Sequence, residues 1–286
     1  MASHRIALVT DSTNDLPADL RLQYDVHVVP LYVIWGNSEW KDGLDVSPEQ
    51  FYERMVSEPA VFPRTSQPSP QDFANIFGQL KEDGAEEIVT MTLSSAMSGT
   101  IQSARKAAES ADIPVHVYDS RTNSMGLGWQ ILAAARARET QGSAQAMLEA
   151  ADKARQHMVY MITLNTLDYL FKGGRIGGAI SFVGNLLNIK PAISVNHNTG
   201  AVEAGLPTRT RRRAIDSIFE NFFKKMDTSR PMHVAVLHNN AYAEAQQLLD
   251  RVREGFNPAE LLTSIVSPIL GVHTGPGALA LCGYSE

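Results

Sequence analysis

Short apolar runs that do not alternate with polar residues constrain this 286-residue chain more than any other feature. "RIALVT" (5–10), "EEIVTMTL" (86–93) and "PVHVYDS" (114–120) are each about one strand long and rich in β-branched residues. A strand with one wet face alternates with period two, whereas a run that is apolar throughout needs cover on both faces. That pattern predicts a parallel sheet packed between helices. "VHVVPLYVIW" (26–35) reads as a further core strand. Helix signals fall between these runs. Ser47-Pro48 with Gln50, and Ser69-Pro70 followed by an apolar periodic stretch to Gly84, each place a cap, a proline at the first helical position and a stop.

The pattern changes after two helical stretches, 124–142 and 143–158. "VYMITL" (159–164) reads as a strand. Residues 166–195 read as short helices around glycines that end at Pro191 and a strand. "RRRAIDSIFENFFKKMD" (211–227) is an amphipathic helix with a basic start. Strand, helix and two closing strands follow, "LTSIVSPIL" (262–270) and "ALALCGY" (278–284). A domain boundary is expected near residue 158, giving residues 1–158 and 159–286.

A net charge of −6 provides no global basic field for nucleic acid or anionic lipid. The single cysteine, Cys282, forms no internal disulfide, builds no cysteine metal site, and fits a reducing cytoplasm as a buried small apolar residue. The start of the chain lacks a signal-peptide core. The uncharged stretch 176–189 is shorter than the roughly 20 residues that span a bilayer. Stretch 261–285 carries Pro268, Gly271, Gly275, Pro276 and Gly277, and reads as two buried strands around a glycine turn.

Standard catalytic motifs are absent: no G-x-S-x-G, no Walker A, no G-x-G-x-x-G and no H-E-x-x-H. The S-x-x-K at Ser103 and Lys106 falls on a predicted helix. The eight histidines are scattered without helical metal-site spacing, and only His273, in "GVHTGPG", stands in unusual company. What remains is a set of polar turns after strands. They hold Asp11, Ser12 and Thr13; Thr65, Ser66 and Ser69; Ser94, Ser95, Ser98, Gly99 and Thr100; Asp119 and Ser120. In an open parallel sheet such turns gather at one edge, where hydroxyls and helix starts suit an oxyanion.

Seven segments in order, "VTDSTNDLP", "TSQPSPQDF", "LSSAMSGTIQSA", "YLFKGGRIGG", "LLNIKPAISV", "RTRRRAI" and "HTGPGALAL", resemble the DegV family of bacterial fatty-acid-binding proteins from residue 6 to residue 284. The resemblance implies two α/β domains, a parallel-type sheet in the first and a mixed sheet in the second, with one long-chain fatty acid between them. The carboxylate would lie at the interface and the tail in a buried tunnel of the second domain. It also implies a cytoplasmic carrier without chemistry of its own. That carrier would need no cofactor beyond the bound lipid, would meet the membrane transiently for loading, and would present the acid to a fatty-acid kinase for acyl-phosphate and phospholipid synthesis.

Carried over residue by residue, Thr65, Ser95, Arg209 and His273 would hold the carboxylate, supported by Ser66, Ser94, Ser98 and Gly99. Arg209, Arg211 and Arg212 are all candidates within "RTRRR", with Arg209 the choice. Arg175 would serve kinase docking. Ile176, Ile180, Phe182, Val183, Leu186 and Leu187 would line the tunnel, or else form a fully buried helix. The competing reading is an enzyme, a hydrolase or phosphotransferase using the same cleft with His273 on a substrate carbonyl. A regulatory or structural role has no supporting motif.

Overall fold

A computed structural model describes residues 5–182 and 189–286, excluding the side chain of Phe182. The first stretch of chain runs β1 (Ile6–Asp11), α1 (Ala18–Gln23), β2 (Val26–Val29), β3 (Tyr32–Trp35), β4 (Ser38–Lys41), α2 (Pro48–Ser57), β5 (Arg64–Ser66), α3 (Pro70–Glu82), β6 (Glu87–Thr92), α4 (Thr100–Ala108), β7 (Val115–Asp119), α5 (Ser124–Gln141) and α6 (Ala144–Gln156). The second runs β8 (Met158–Thr163), α7 (Asp168–Lys172), a 3₁₀ turn (Gly177–Phe182), β9 (Ala192–Val195), β10 (Val202–Ala204), α8 (Arg211–Lys225), β11 (Met232–His238), α9 (Tyr242–Phe256), β12 (Glu260–Ile265), α10 (Pro268–Thr274) and β13 (Leu279–Ser285).

Both Ser-Pro signals start helices through full capping boxes. The Ser47 hydroxyl accepts from the Gln50 N–H while Gln50 Oε1 accepts from the Ser47 N–H. Ser69 and Asp72 do the same at α3. Each pair satisfies two amides that the helix itself leaves open, and proline at the first helical position gives up an amide that had no partner there.

The strands form three sheets. A parallel sheet has the order β2-β1-β6-β7, and a small antiparallel sheet the order β4-β3-β5. A six-stranded mixed sheet, β10-β9-β8-β13-β11-β12, is antiparallel except between β11 and β12. All strands of the mixed sheet follow residue 157, and all others precede residue 120.

Period two divides each large sheet between two cores. Ala7, Val9 and Ile88 meet Phe73, Phe77 and Leu80 of α3 with Ala104 and Ala107 of α4. The alternate positions, Leu8, Val89 and Met91, meet α5 and α6. On the mixed sheet, Val234, Val236 and Leu281 pack on Ile218 and Phe222 of α8 with Leu248 and Val252 of α9. Ala235, Leu237, Ala280 and Cys282 face the same α5–α6 layer as the parallel sheet does. The order is therefore helices, parallel sheet, α5–α6, mixed sheet, helices. Squeezed between two sheets, α5 is buried round its circumference, and the Trp129 indole donates to the Cys282 carbonyl at 3.2 Å.

Two expectations are corrected. The run 26–35 is not one strand: Pro30 has no amide for a ladder, β2 ends at Val29, and β3 pairs antiparallel in the small sheet. Residues 261–285 are not two strands about a turn, because Pro268 at the first helical position starts α10 between β12 and β13.

Candidate functional site

A cavity of about 280 Å³ opens where the C-terminal ends of β5 and β6 approach the inner face of the mixed sheet and α10. Its apolar wall comes from both halves: Leu31 and Leu93 from one side, and Ile162, Ile193, Leu237, Val266 and Ala280 from the other. These side chains were driven to the interior by the alternation described above. Where the inner positions of the mixed sheet are not filled by α5, they face this space.

A linked set of polar groups lines the same cavity. Thr65 Oγ1 lies 3.0 Å from His273 Nε2. Arg175 Nε donates to the Met97 carbonyl at 3.2 Å, and Nη1 to the Gly173 carbonyl at 2.8 Å. The Asn123 amide meets Met97 Sδ at 3.2 Å. Ser66, Gln67 and Ser98 also line the cavity. His273 sits in the last turn of α10, and its place depends on Gly173, because a Cβ there would fall 2.2 Å from His273 Nδ1.

Burial, followed by the nearby Arg175 charge, lowers the His273 pKa to about 4. The imidazole is therefore neutral near pH 7. Its Nδ1 is buried without a partner among the described residues. If Nε2 donates to Thr65, the Thr65 hydroxyl hydrogen is free; if Nε2 accepts, the Nδ1–H is free. Either tautomer leaves one donor uncommitted.

The Ser95 hydroxyl donates to Asp119 Oδ2 at 2.5 Å and its amide to Asp119 Oδ1 at 3.2 Å, so it faces the β7 turn rather than the cavity. The buried Ser94 hydroxyl donates to the Gly200 carbonyl at 2.8 Å, tying the two halves together. Gly99 is not a lining residue, but a Cβ there would meet the Gln67 side chain at 2.3 Å, so glycine lets Gln67 lie over the start of α4. Arg209 is exposed and does not line the cavity. Arg211 is engaged by both oxygens of Glu244, at 2.9 and 2.7 Å, and Arg212 is exposed. Ile176 is buried in the central core without lining the cavity, and Ile180 is half exposed. Val183, Leu186, Leu187 and the Phe182 side chain lie outside the described residues.

The turn after β1 has a structural task. Buried Asp11 accepts from the amide and hydroxyl of Thr13 and, through Oδ2, from the Leu93 amide at 2.7 Å. It thereby fixes the exit of β6 beside the cavity. Sequence reasoning passed over Gln67, Asn123 and Asn239. Asn123 lies in a turn singled out for its neighbours Asp119 and Ser120, and Asn239 directly follows a strand that ends in histidine.

Among the described residues no group of three or more His, Cys, Asp and Glu is arranged to hold a metal ion. No described helix is long and apolar enough to cross a membrane.

A family model described as "Uncharacterised protein, DegV family" matches residues 5–286. The chain belongs to the DegV family. A DegV domain-containing protein of Streptomyces coelicolor is 35% identical over 280 residues, covering 98% of each chain. One from Clostridium acetobutylicum is 33% identical over 283 residues, covering 99% of each. Among solved structures, a fatty-acid-binding DegV family protein of Thermus thermophilus superposes with a TM-score of 0.92 at 35% identity, covering 99% of this chain and 100% of the other. The fatty-acid-binding DegV of Bacillus subtilis gives 0.90 at 28% identity, with the same coverage. A stearic-acid-binding protein of Eubacterium ventriosum gives 0.90 at 27% identity, covering 98% of each. The mixed α/β fold, with its parallel and mixed sheets, is the DegV fold.

Proposed function

We propose that this protein binds one long-chain fatty acid in the cavity and presents its carboxylate to a fatty-acid kinase for acyl-phosphate formation. The observation that carries this reading is the joining, in one space, of an apolar wall from both halves with the Thr65–His273 pair. Three similar structures are of proteins described as binding fatty acid, at 27 to 35% identity over nearly the whole chain. Each methylene taken from water contributes roughly 0.8 kcal/mol, so a sixteen-carbon tail gains about 12 kcal/mol gross before the costs of binding. Affinity then comes from the tail and orientation from the head.

Thr65 and His273 offer neutral donors. A carboxylate entering a dry site needs its lone pairs met, and weak donors meet them without the bidentate clamp that would hinder transfer of an oxygen to phosphate. Arg175 lies beside this pair and would serve the kinase. Arg175→Ala is expected to slow phosphorylation by the kinase while changing fatty-acid affinity little, checked by coupled turnover and by calorimetry.

Threonine hydroxyl beside histidine is also half of a nucleophile–base arrangement. Two observations favour holding over attack here: burial lowers the His273 pKa to about 4, which makes it a weak base at neutral pH, and no described residue orients the imidazole through Nδ1. Mass spectrometry of a solvent extract of the denatured, purified protein tests the reading. A stoichiometric fatty acid is expected. A folded protein that carries none, and takes up none when offered, would overturn it.

A further inference from the structure

A second cavity, of about 500 Å³, lies across the junction between β12 and α10: Val266 lines the first cavity and Ser267 the second. It is polar. Three carboxyl groups line it, those of Asp15, Asp42 and Glu49, against one guanidinium, that of Arg21, and burial pushes the pKa of Asp15 up to about 7 and that of Asp42 well above the usual carboxylate range. Asp42 is only 3% exposed, yet neither carboxylate oxygen has a hydrogen-bond partner among the described residues. The neighbouring Ser12 hydroxyl accepts from the Leu31 amide at 3.1 Å and lies close enough to Asp42 to favour its charged form, without reaching good hydrogen-bond geometry. Arg21 Nε is likewise without a partner, so the guanidinium is not spent on Asp42 through that nitrogen. Asp15 is held on both sides, Oδ1 by the Ser267 amide at 2.9 Å and Oδ2 by the Ser124 hydroxyl, while the buried Ser267 hydroxyl lies near enough to lower the Asp15 pKa but reaches no partner in good hydrogen-bond geometry among the described residues.

A buried carboxylate with no donor is costly, so it either keeps its proton, the direction in which burial pushes Asp42, or gains a compensating charge. We infer that this cavity binds a hydrated divalent cation of the magnesium class, held by the carboxylates of Asp42 and Asp15 with the hydroxyls of Ser12 and Ser267 in support. The donors are all oxygen, which selects a hard cation. Since no three acidic or histidine side chains converge among the described residues, a dehydrated cage of the calcium kind is not built here. Magnesium keeps several of its waters and needs only one or two carboxylates, and a cavity of this volume leaves room for those waters. Ser12 and Asp42 come from the first half of the chain and Ser267 from the second, so the ion fastens the two together behind the apolar wall at Val266.

The test is thermal unfolding of the full chain during titration with MgCl₂ at constant ionic strength, with CaCl₂ and NaCl in parallel. A saturable rise in Tm with magnesium, larger than with either comparator, is expected. Asp42→Asn, which keeps shape and removes the charge, is expected to retain palmitate binding and to weaken the magnesium response by about tenfold or more. A flat wild-type titration, a stronger calcium response, or an undiminished response in the folded variant would each overturn the site. Should the variant not fold, equilibrium dialysis of the wild type against Mn²⁺ with Mg²⁺ as competitor decides the matter: one displaceable ion per chain supports the site, and none overturns it.

Discussion

Thr65 and His273 share one hydrogen bond, and the donor it leaves over is what a carboxylate would use. Removing the Thr65 hydroxyl strands that oxygen in a dry site, so Thr65→Ala is expected to weaken fatty-acid binding by about 1 to 3 kcal/mol in titration calorimetry. Ser95→Ala is expected to change it by less than about 0.5 kcal/mol, because that hydroxyl belongs to Asp119 and faces away. His273 also makes stability depend on pH. Burial lowers its folded pKa to about 4, below the ordinary imidazole value of 6.5, so between the two the unfolded chain binds the extra proton. The contribution is full above pH 6.5 and is lost as pH falls toward 4. Urea unfolding is expected to show a smaller free energy at pH 4.5 than at pH 7, with a reduced difference in His273→Gln. Thr65 and His273 drew notice through the family resemblance of "TSQPS" and "HTGPG", whereas their hydrogen bond to each other was not foreseen. Asp119's hold on Ser95 was not, since the two lie 24 residues apart in separate turns and nothing local couples them.

At the scale of elements, the site is made by the packing of α7 and the turn after it against α10. Gly173 follows α7 and faces His273 on α10. An added Cβ would fall 2.2 Å from His273 Nδ1 and 2.9 Å from the Tyr169 carbonyl, so it displaces the imidazole and presses on the last turn of α7. Gly173→Ala is therefore expected to lower fatty-acid affinity with little change in the circular dichroism spectrum. The glycines of "YLFKGGRIGG" were visible in the sequence, but the purpose of Gly173 was not, because the histidine it accommodates lies a hundred residues on. The helix starts at Ser47 and Ser69 were legible because capping is local chemistry. The break at Pro30 was equally local, and the apolar run around it masked the missing amide.

For the whole molecule, the α5–α6 layer joins the parallel and mixed sheets in one continuous core, with Trp129 reaching the Cys282 carbonyl. A ligand with walls from both sides stabilises that assembly by mass action, about 2.7 kcal/mol at a free concentration one hundred times Kd. Palmitate is expected to raise the Tm of delipidated protein in a single, concentration-dependent transition, followed by calorimetry. The unalternating strands announced the parallel sheet covered on both faces. The shared middle layer was not legible: α5 is apolar on every side, and sequence alone does not say that its two coverings are different sheets.

Whether one cavity holds both ends of a fatty acid is tested most directly by a crystal structure of the protein grown with palmitate. The expected result is a single lipid with its carboxylate within hydrogen-bond distance of Thr65 Oγ1 and its tail against Ile193, Leu237 and Ala280. A carboxylate on Ser95 or Arg209, or a tail outside that wall, would contradict it.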